Sequence, residues 1–336
     1  MTHGKITHHE IMSLMTAADI FIRKKGSCLY PEKYFLRSNS VQKSSHIHGF
    51  VRLFFCKYTR SSVCAYIKAV FTEFFFPQYT GYGPEGKKTA VNVEHPFDFT
   101  IPFEPELGKV YHRFFPHGFR VMNLLFKNFF SKWHKGKSTR EFYSVICEMI
   151  SGITRYYYDC SWICSRIRST TSRPPVRLRI PFILIHLTDP HFHCVPSLHV
   201  LSMYYFYAWV RTAGTKFAAT SAEALELSDQ AFHEATIVTE AILFVKQHSV
   251  NCIAASFFML TITMPFFEES EVRRCILSLF TTFGAELPNK DTLRSYMLEH
   301  YQALVSEYRS QSGRDWKNFL IRYLKKFPEI TPGEKP

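Results

Sequence analysis

From Ser249 to Phe267 the chain runs nineteen residues, SVNCIAASFFMLTITMPFF, without a single charged side chain. Such a run is long enough to cross the hydrocarbon of a bilayer as one helix. Helical patterns also cover Phe50–Phe76, Glu106–Phe130, Arg140–Ile163, Ser197–Val210 and His233–His248. Six helices between residues 50 and 267 predict an all-α fold: a six-helix membrane-type bundle with a C-terminal soluble helical tail.

Composition sharpens this reading without settling it. A mean hydropathy of −0.11 is low for a polytopic protein, because charge interrupts most apolar stretches. Aromatic residues make up 16% of the chain, which excludes disorder and suits helices with an aromatic water–lipid boundary. The 41 Lys and Arg against 28 Asp and Glu leave a net charge of +13, favouring an anionic partner. Nine cysteines, an odd number without CxxC spacing, imply neither a disulfide framework nor a zinc site. The first 45 residues lack an apolar run ending in a small-residue cleavage site, so no secretory signal is read there.

Three regions follow. Residues 1–45 form a basic N-terminal segment with a short apolar helix near Ile11–Ile22; residues 46–268 form the helical core; residues 269–336 form an amphipathic tail. Pro and Gly mark 77–105 as loop, and 211–232 reads as a hydrophilic loop. If six helices span, the basic turns Lys132–Lys137 and Arg211–Lys216 share the side of both termini. The 77–105 loop, the 164–199 segment and His248 then meet on the other face. Arg166, Arg168, Arg173, Arg177 and Arg179 would break the positive-inside rule there, which is easier to explain if they hold something anionic.

Pro196-Ser197-Leu198-His199, Lys246-Gln247-His248 and Arg173-Pro174 offer two histidines, a serine and fixed cations for one phosphate. Phosphoryl transfer needs positioning and positive charge, with one histidine to attack and another to protonate the leaving oxygen. Ser197 offers a hydroxyl and a backbone N–H at a helix start; it reads equally as a plain N-cap. Arg173 suits phosphate oxygens bidentately, or is a solvated loop arginine. Two further patterns are rejected. Gly81 to Lys88 nearly matches a nucleotide loop but lacks the final Ser or Thr and a following helix. The His pairs at 46–48 and 191–193 have no carboxylate or Cys set beside them, so no metal is assigned.

These motifs, in this order, resemble the type 2 phosphatidic acid phosphatase family, which shares its core with vanadium haloperoxidases and bacterial acid phosphatases. The family shows K-x6-R-P, P-S-x-H and S-R-x5-H-x3-D; this chain has Arg166-x6-Arg173-Pro174, Pro196-Ser197-Leu198-His199 and His248. Asp98-Phe99-Thr100-Ile101-Pro102-Phe103 and Lys246-Gln247-His248 are similar to the branch related to inositol phosphorylceramide synthases. The resemblance covers about 50 to 268. It implies that His248 attacks phosphorus, His199 protonates the leaving oxygen, and Arg173, Arg166, Lys246 and Ser197 hold the phosphate, with no cofactor.

Three positions depart from that pattern. Arg166 replaces Lys, Ile242 stands where the family has Arg, and Cys252 occupies the place of the Asp that would orient the histidine. One helical turn from His248, Cys252 orients an imidazole poorly; Asn251 is the substitute, one position round the helix. Cys252→Asp is accordingly expected to raise turnover.

The expected function is a membrane-associated phosphatase or phosphotransferase acting on a lipid-linked phosphate ester through a phosphohistidine. The expected location is a multi-pass place in the cell membrane, with the site facing away from the cytoplasm. One rival is a weakened relative that binds lipid or anion without turnover. The other is a basic helical nucleic-acid binder, for which net charge is the only support; no nucleic-acid motif is present, and no nucleic-acid partner is expected.

Overall fold

The computed structural model describes residues 40–80, 82–83, 86–87, 90–174, 183, 185–186, 189, 191–311 and 315–330. The expected helix near Ile11–Ile22, and Arg177 and Arg179, lie outside the described residues. The rest is mostly helical, as the sequence predicts. The main helices are α1 (His46–Phe55), α2 (Arg60–Ala69), α3 (Phe114–Asn128), α4 (Thr139–Cys164) and α5 (Leu198–Phe217). They continue with α6 (Ser221–Phe244), α7 (Val250–Thr263), α8 (Glu269–Ser278), α9 (Lys290–Ser310) and α10 (Trp316–Leu324).

Two boundaries differ from the sequence reading. The apolar 50–76 stretch is two helices, broken at 56–59, where the Thr59 hydroxyl donates to the Leu53 carbonyl. The supposed loop 211–232 is helical except for 218–220. Thr220 caps α6 by accepting the Glu223 N–H, the Ser/Thr-x-x-Glu start signal that charge in this stretch obscures. The α5–α6 pair is therefore a tight antiparallel hairpin.

Among the described residues no helix is long and apolar enough to cross a membrane. The uncharged 249–267 run yields a helix of only 14 residues, ending at Thr263 before Pro265. At 1.5 Å per residue this is about 21 Å, against roughly 30 Å of hydrocarbon. Its lack of charge has another cause. Every residue from Val250 to Leu260 is buried, with α5 on one side and α9 and α10 on another. Tyr204 packs on Phe257 at 4.8 Å between centroids, and Phe258 lies against Tyr308 at 5.4 Å and Phe319 at 5.2 Å. A helix enclosed on all faces is apolar all round. The apolar side of the C-terminal helices, Leu304, Tyr308, Phe319 and Tyr323, is buried.

A small sheet organises the loops above the helix ends. Strand β1 (Tyr82–Gly83) pairs with β2 (Gly86–Lys87), so the rejected nucleotide loop contains a hairpin. Strand β3 (Ala90–Asn92) lies between parallel β4 (Arg168–Thr170) and antiparallel β5 (Glu329–Ile330). Ser169 also bridges to His193. The sheet thus gathers three loops from distant parts of the chain at one end of α5 and α7.

Candidate active site

The 191–197 segment reaches its place through Ser169. The Ser169 carbonyl accepts the Cys194 N–H at 3.1 Å and its hydroxyl accepts the Val195 N–H at 2.8 Å. Ser197 then caps α5, its hydroxyl accepting the Val200 N–H at 3.4 Å. His199 follows two residues later, in the first turn of α5. The N-cap reading of Ser197 holds. Its backbone N–H, however, is donated to the Ser256 hydroxyl at 2.8 Å rather than left for an anion.

His248 arrives from the other direction, through the end of α6. The Gln247 N–H donates to the Ile242 carbonyl at 2.9 Å and the Lys246 N–H to the Leu243 carbonyl at 3.2 Å. Lys246 takes φ 58°. This pair of bonds around a left-handed residue terminates a helix and reverses the chain. Ser249 caps α7 immediately afterwards, accepting the Asn251 N–H at 3.1 Å. His248 is held between two helix ends.

The two imidazoles meet. His199 Nδ1 lies 3.0 Å from His248 Nε2, and the Ser197 hydroxyl lies 3.1 Å from the same nitrogen. On its far side, His248 Nδ1 lies 3.2 Å from the Cys194 carbonyl oxygen. A carbonyl only accepts, so Nδ1 carries the proton and Nε2 presents its lone pair. Burial pushes His248 down to about 3, with His193 and Arg173 adding to the effect against the Cys194 hydrogen bond. Burial, helped by His248, His112 and His193, holds His199 well below the usual histidine range. Burial thus favours the neutral form of both rings, and Tyr111 and Phe114 pack against His199.

Arg173 joins this group. It donates through Nη1 to the Asp189 carbonyl at 2.8 Å and through Nη2 to the Gln247 side-chain oxygen at 2.5 Å. Its Nε is buried without a hydrogen-bond partner. Glu94 fixes the preceding residue, accepting the Ser172 N–H at 2.9 Å and its hydroxyl at 2.6 Å. Asp189, read from sequence only as a turn, is buried, and burial raises its carboxyl against the pull of Arg173. A cavity of about 580 Å³ opens onto His199 and Asp189, walled by Phe50, Phe74, Phe114 and Phe119.

Four other sequence-derived residues stand apart. Arg166 stacks on the Trp162 ring, 3.5 Å from its centroid, and donates to the Trp162 carbonyl at 3.0 Å. A half-buried Lys246 donates to the carbonyls of Asp98 and Ile101. Burial lowers it to about 8, against the opposing charges of Asp98 and Glu94. Cys252 accepts the Ser249 N–H at 3.3 Å within the α7 cap. Asn251 donates to the Val93 carbonyl at 3.0 Å and accepts from Tyr296 at 2.6 Å. The orienting group for His248 is therefore the Cys194 backbone, which no side-chain motif reveals. Gln247 and Asp98 were visible within quoted motifs. Their roles, holding Arg173 and accepting the Val250 N–H at 2.9 Å, were not.

Compared with family models, with curated proteins and with solved structures, the chain matches none.

Proposed function

We propose that this protein is a membrane-associated phosphatase or phosphotransferase that acts on a lipid-linked phosphate ester through a phosphohistidine on His248. The observation that carries this reading is the 3.0 Å approach of the two imidazoles, with a tautomer that leaves His248 Nε2 unprotonated. In this reading Nε2 attacks phosphorus while the P–O bond to the alcohol breaks, and the leaving oxygen takes a proton from His199. Water, or the hydroxyl of a second alcohol, then takes the phosphoryl group from His248.

Electrostatics supports the same roles. A phosphate dianion beside the rings reverses the effect of burial by favouring imidazolium, so bound substrate itself makes His199 an acid. Arg173 adds a fixed positive charge beside that position. The apolar cavity ending at His199 fits the hydrocarbon part of a lipid ester.

One observation favours the second reading, binding without turnover: the partner of His248 Nδ1 is a carbonyl and not a carboxylate. A carbonyl fixes the tautomer but gives less stabilisation to an imidazolium. Phosphate release from lipid and soluble phosphomonoesters, measured beside His248→Ala, separates the two. Release that His248→Ala abolishes supports the enzyme; saturable lipid-phosphate binding without release supports the binder.

A further inference from the structure

Among the described residues, six of the twelve large apolar side chains that are exposed lie between Ile47 and Phe76. Helix α1 buries Gly49 and Leu53, with Phe50 and Phe54 packed against the core. Its opposite side is also apolar: Ile47, Val51 and Phe55, each one turn from the next, are 61%, 44% and 74% exposed. Tyr58, Phe71 and Phe76 extend this exposure along the following segment. A surface helix ordinarily turns polar residues to water, and a contiguous exposed apolar patch marks an interaction site.

Two further observations identify what the patch fits. Between residues 40 and 80 the chain carries Lys43, Arg52, Lys57, Arg60 and Lys68 against a single acid, Glu73. All five basic residues are exposed, and Arg52 borders the apolar stripe on α1. Apolar side chains ringed by exposed cations match the boundary of an anionic bilayer, where rings enter the acyl region and cations remain among the headgroups. The patch is also continuous with the cavity described above, because Ile47 lines that cavity together with Phe115, itself 61% exposed.

We infer that the α1–α2 face is an interfacial docking surface for an anionic lipid bilayer, seating the mouth of the His199 cavity at the membrane without any helix crossing it. The inference rests on the lipid-phosphate reading only for what enters the cavity; the docking itself does not depend on catalysis.

The test is flotation of the full chain with phosphatidylcholine vesicles, with and without phosphatidylserine. Wild type is expected to float with the anionic vesicles and to be released by carbonate. Val51→Glu combined with Phe55→Glu is expected to weaken partitioning at least tenfold. Lys57→Glu with Arg60→Glu should remove the preference for phosphatidylserine. Both pairs are exposed and none of the four residues lines the His199 cavity, so turnover of a soluble phosphate ester should be unchanged. Normal flotation with no turnover on any ester would retain the docking surface and remove the enzyme reading. Three results would overturn the docking inference. They are equal partitioning of wild type and the Val51, Phe55 variant, resistance to carbonate, and a wild type that stays off vesicles while dimerising in a manner the glutamates abolish.

Discussion

His248 Nδ1 and the Cys194 carbonyl oxygen lie 3.2 Å apart, although 54 residues separate them in the chain. The contact joins the loop before α5 to the turn before α7, and it assigns the proton of the candidate nucleophile. It also changes the expectation for residue 252. With Nδ1 already engaged, Cys252→Asp has no free imidazole nitrogen to orient on that side. It substitutes a carboxylate for the thiol that accepts the Ser249 N–H. Turnover of Cys252→Asp is expected within about threefold of wild type. A gain of tenfold or more in kcat would show that a carboxylate at 252 displaces the Cys194 carbonyl from this role.

Gln247 holds Arg173 by a 2.5 Å bond and presents no group to the imidazoles. Gln247→Leu should release the guanidinium while leaving His248 and His199 in place. A lost charge-assisted hydrogen bond of about 1.5–3 kcal/mol corresponds to roughly 10- to 100-fold weaker phosphate binding. The inhibition constant of inorganic phosphate measures this; an unchanged constant would remove Arg173 from the phosphate site.

Lys246 tells the opposite story. Its ammonium is engaged by the carbonyls of Asp98 and Ile101, so Lys246→Met should reduce stability rather than phosphate affinity. Leaving those acceptors unpaired costs about 1–3 kcal/mol. Denaturant unfolding is the readout. A stable variant with a much raised phosphate inhibition constant would return Lys246 to the binding site.

His117 makes stability depend on pH. It is buried against Phe206, its Nε2 has no partner, and burial pushes it down from 6.5 to about 3. Below pH 6.5 the unfolded chain binds a proton that the folded chain refuses. Stability therefore rises with pH between about 3 and 6.5, and is lost as pH falls through that window. The contribution reaches about 1.4 kcal/mol per pH unit. His117→Leu should flatten the slope measured between pH 4 and 6 by up to that amount. An unchanged slope would mean that His117 is protonated in the folded protein.

The helical class was legible because apolar patterning along 140–163 and 197–210 is strong; α4 appears where it predicts, and α5 starts there but runs on to Phe217. The convergence of His199 and His248 was expected only from the ordered motifs and the resemblance they carry; the left-handed Lys246 that turns the chain toward His199 has no signal in the sequence. What the sequence concealed is of two kinds. The 249–267 run has the same composition whether lipid or protein surrounds it, and only the packing of α9 and α10 distinguishes them. The Cys194 carbonyl and the Ser197–Ser256 bond are backbone interactions, invisible to any reading based on side-chain type. Lys246 misled for a third reason, since a cation next to a histidine looks the same whether it faces a phosphate or two carbonyls.

The central claim is that His248 carries the phosphoryl group. Rapid alkaline quenching during turnover of a ³²P-labelled lipid phosphate, followed by peptide mapping, tests it most directly. The expected result is label on His248 that is labile in acid and stable in alkali. It should be absent from His248→Ala and should form more slowly in His199→Ala, except with an ester whose leaving group needs no proton. Phosphate release with no labelled His248 at any quench time, or equal turnover by His248→Ala, would contradict the account.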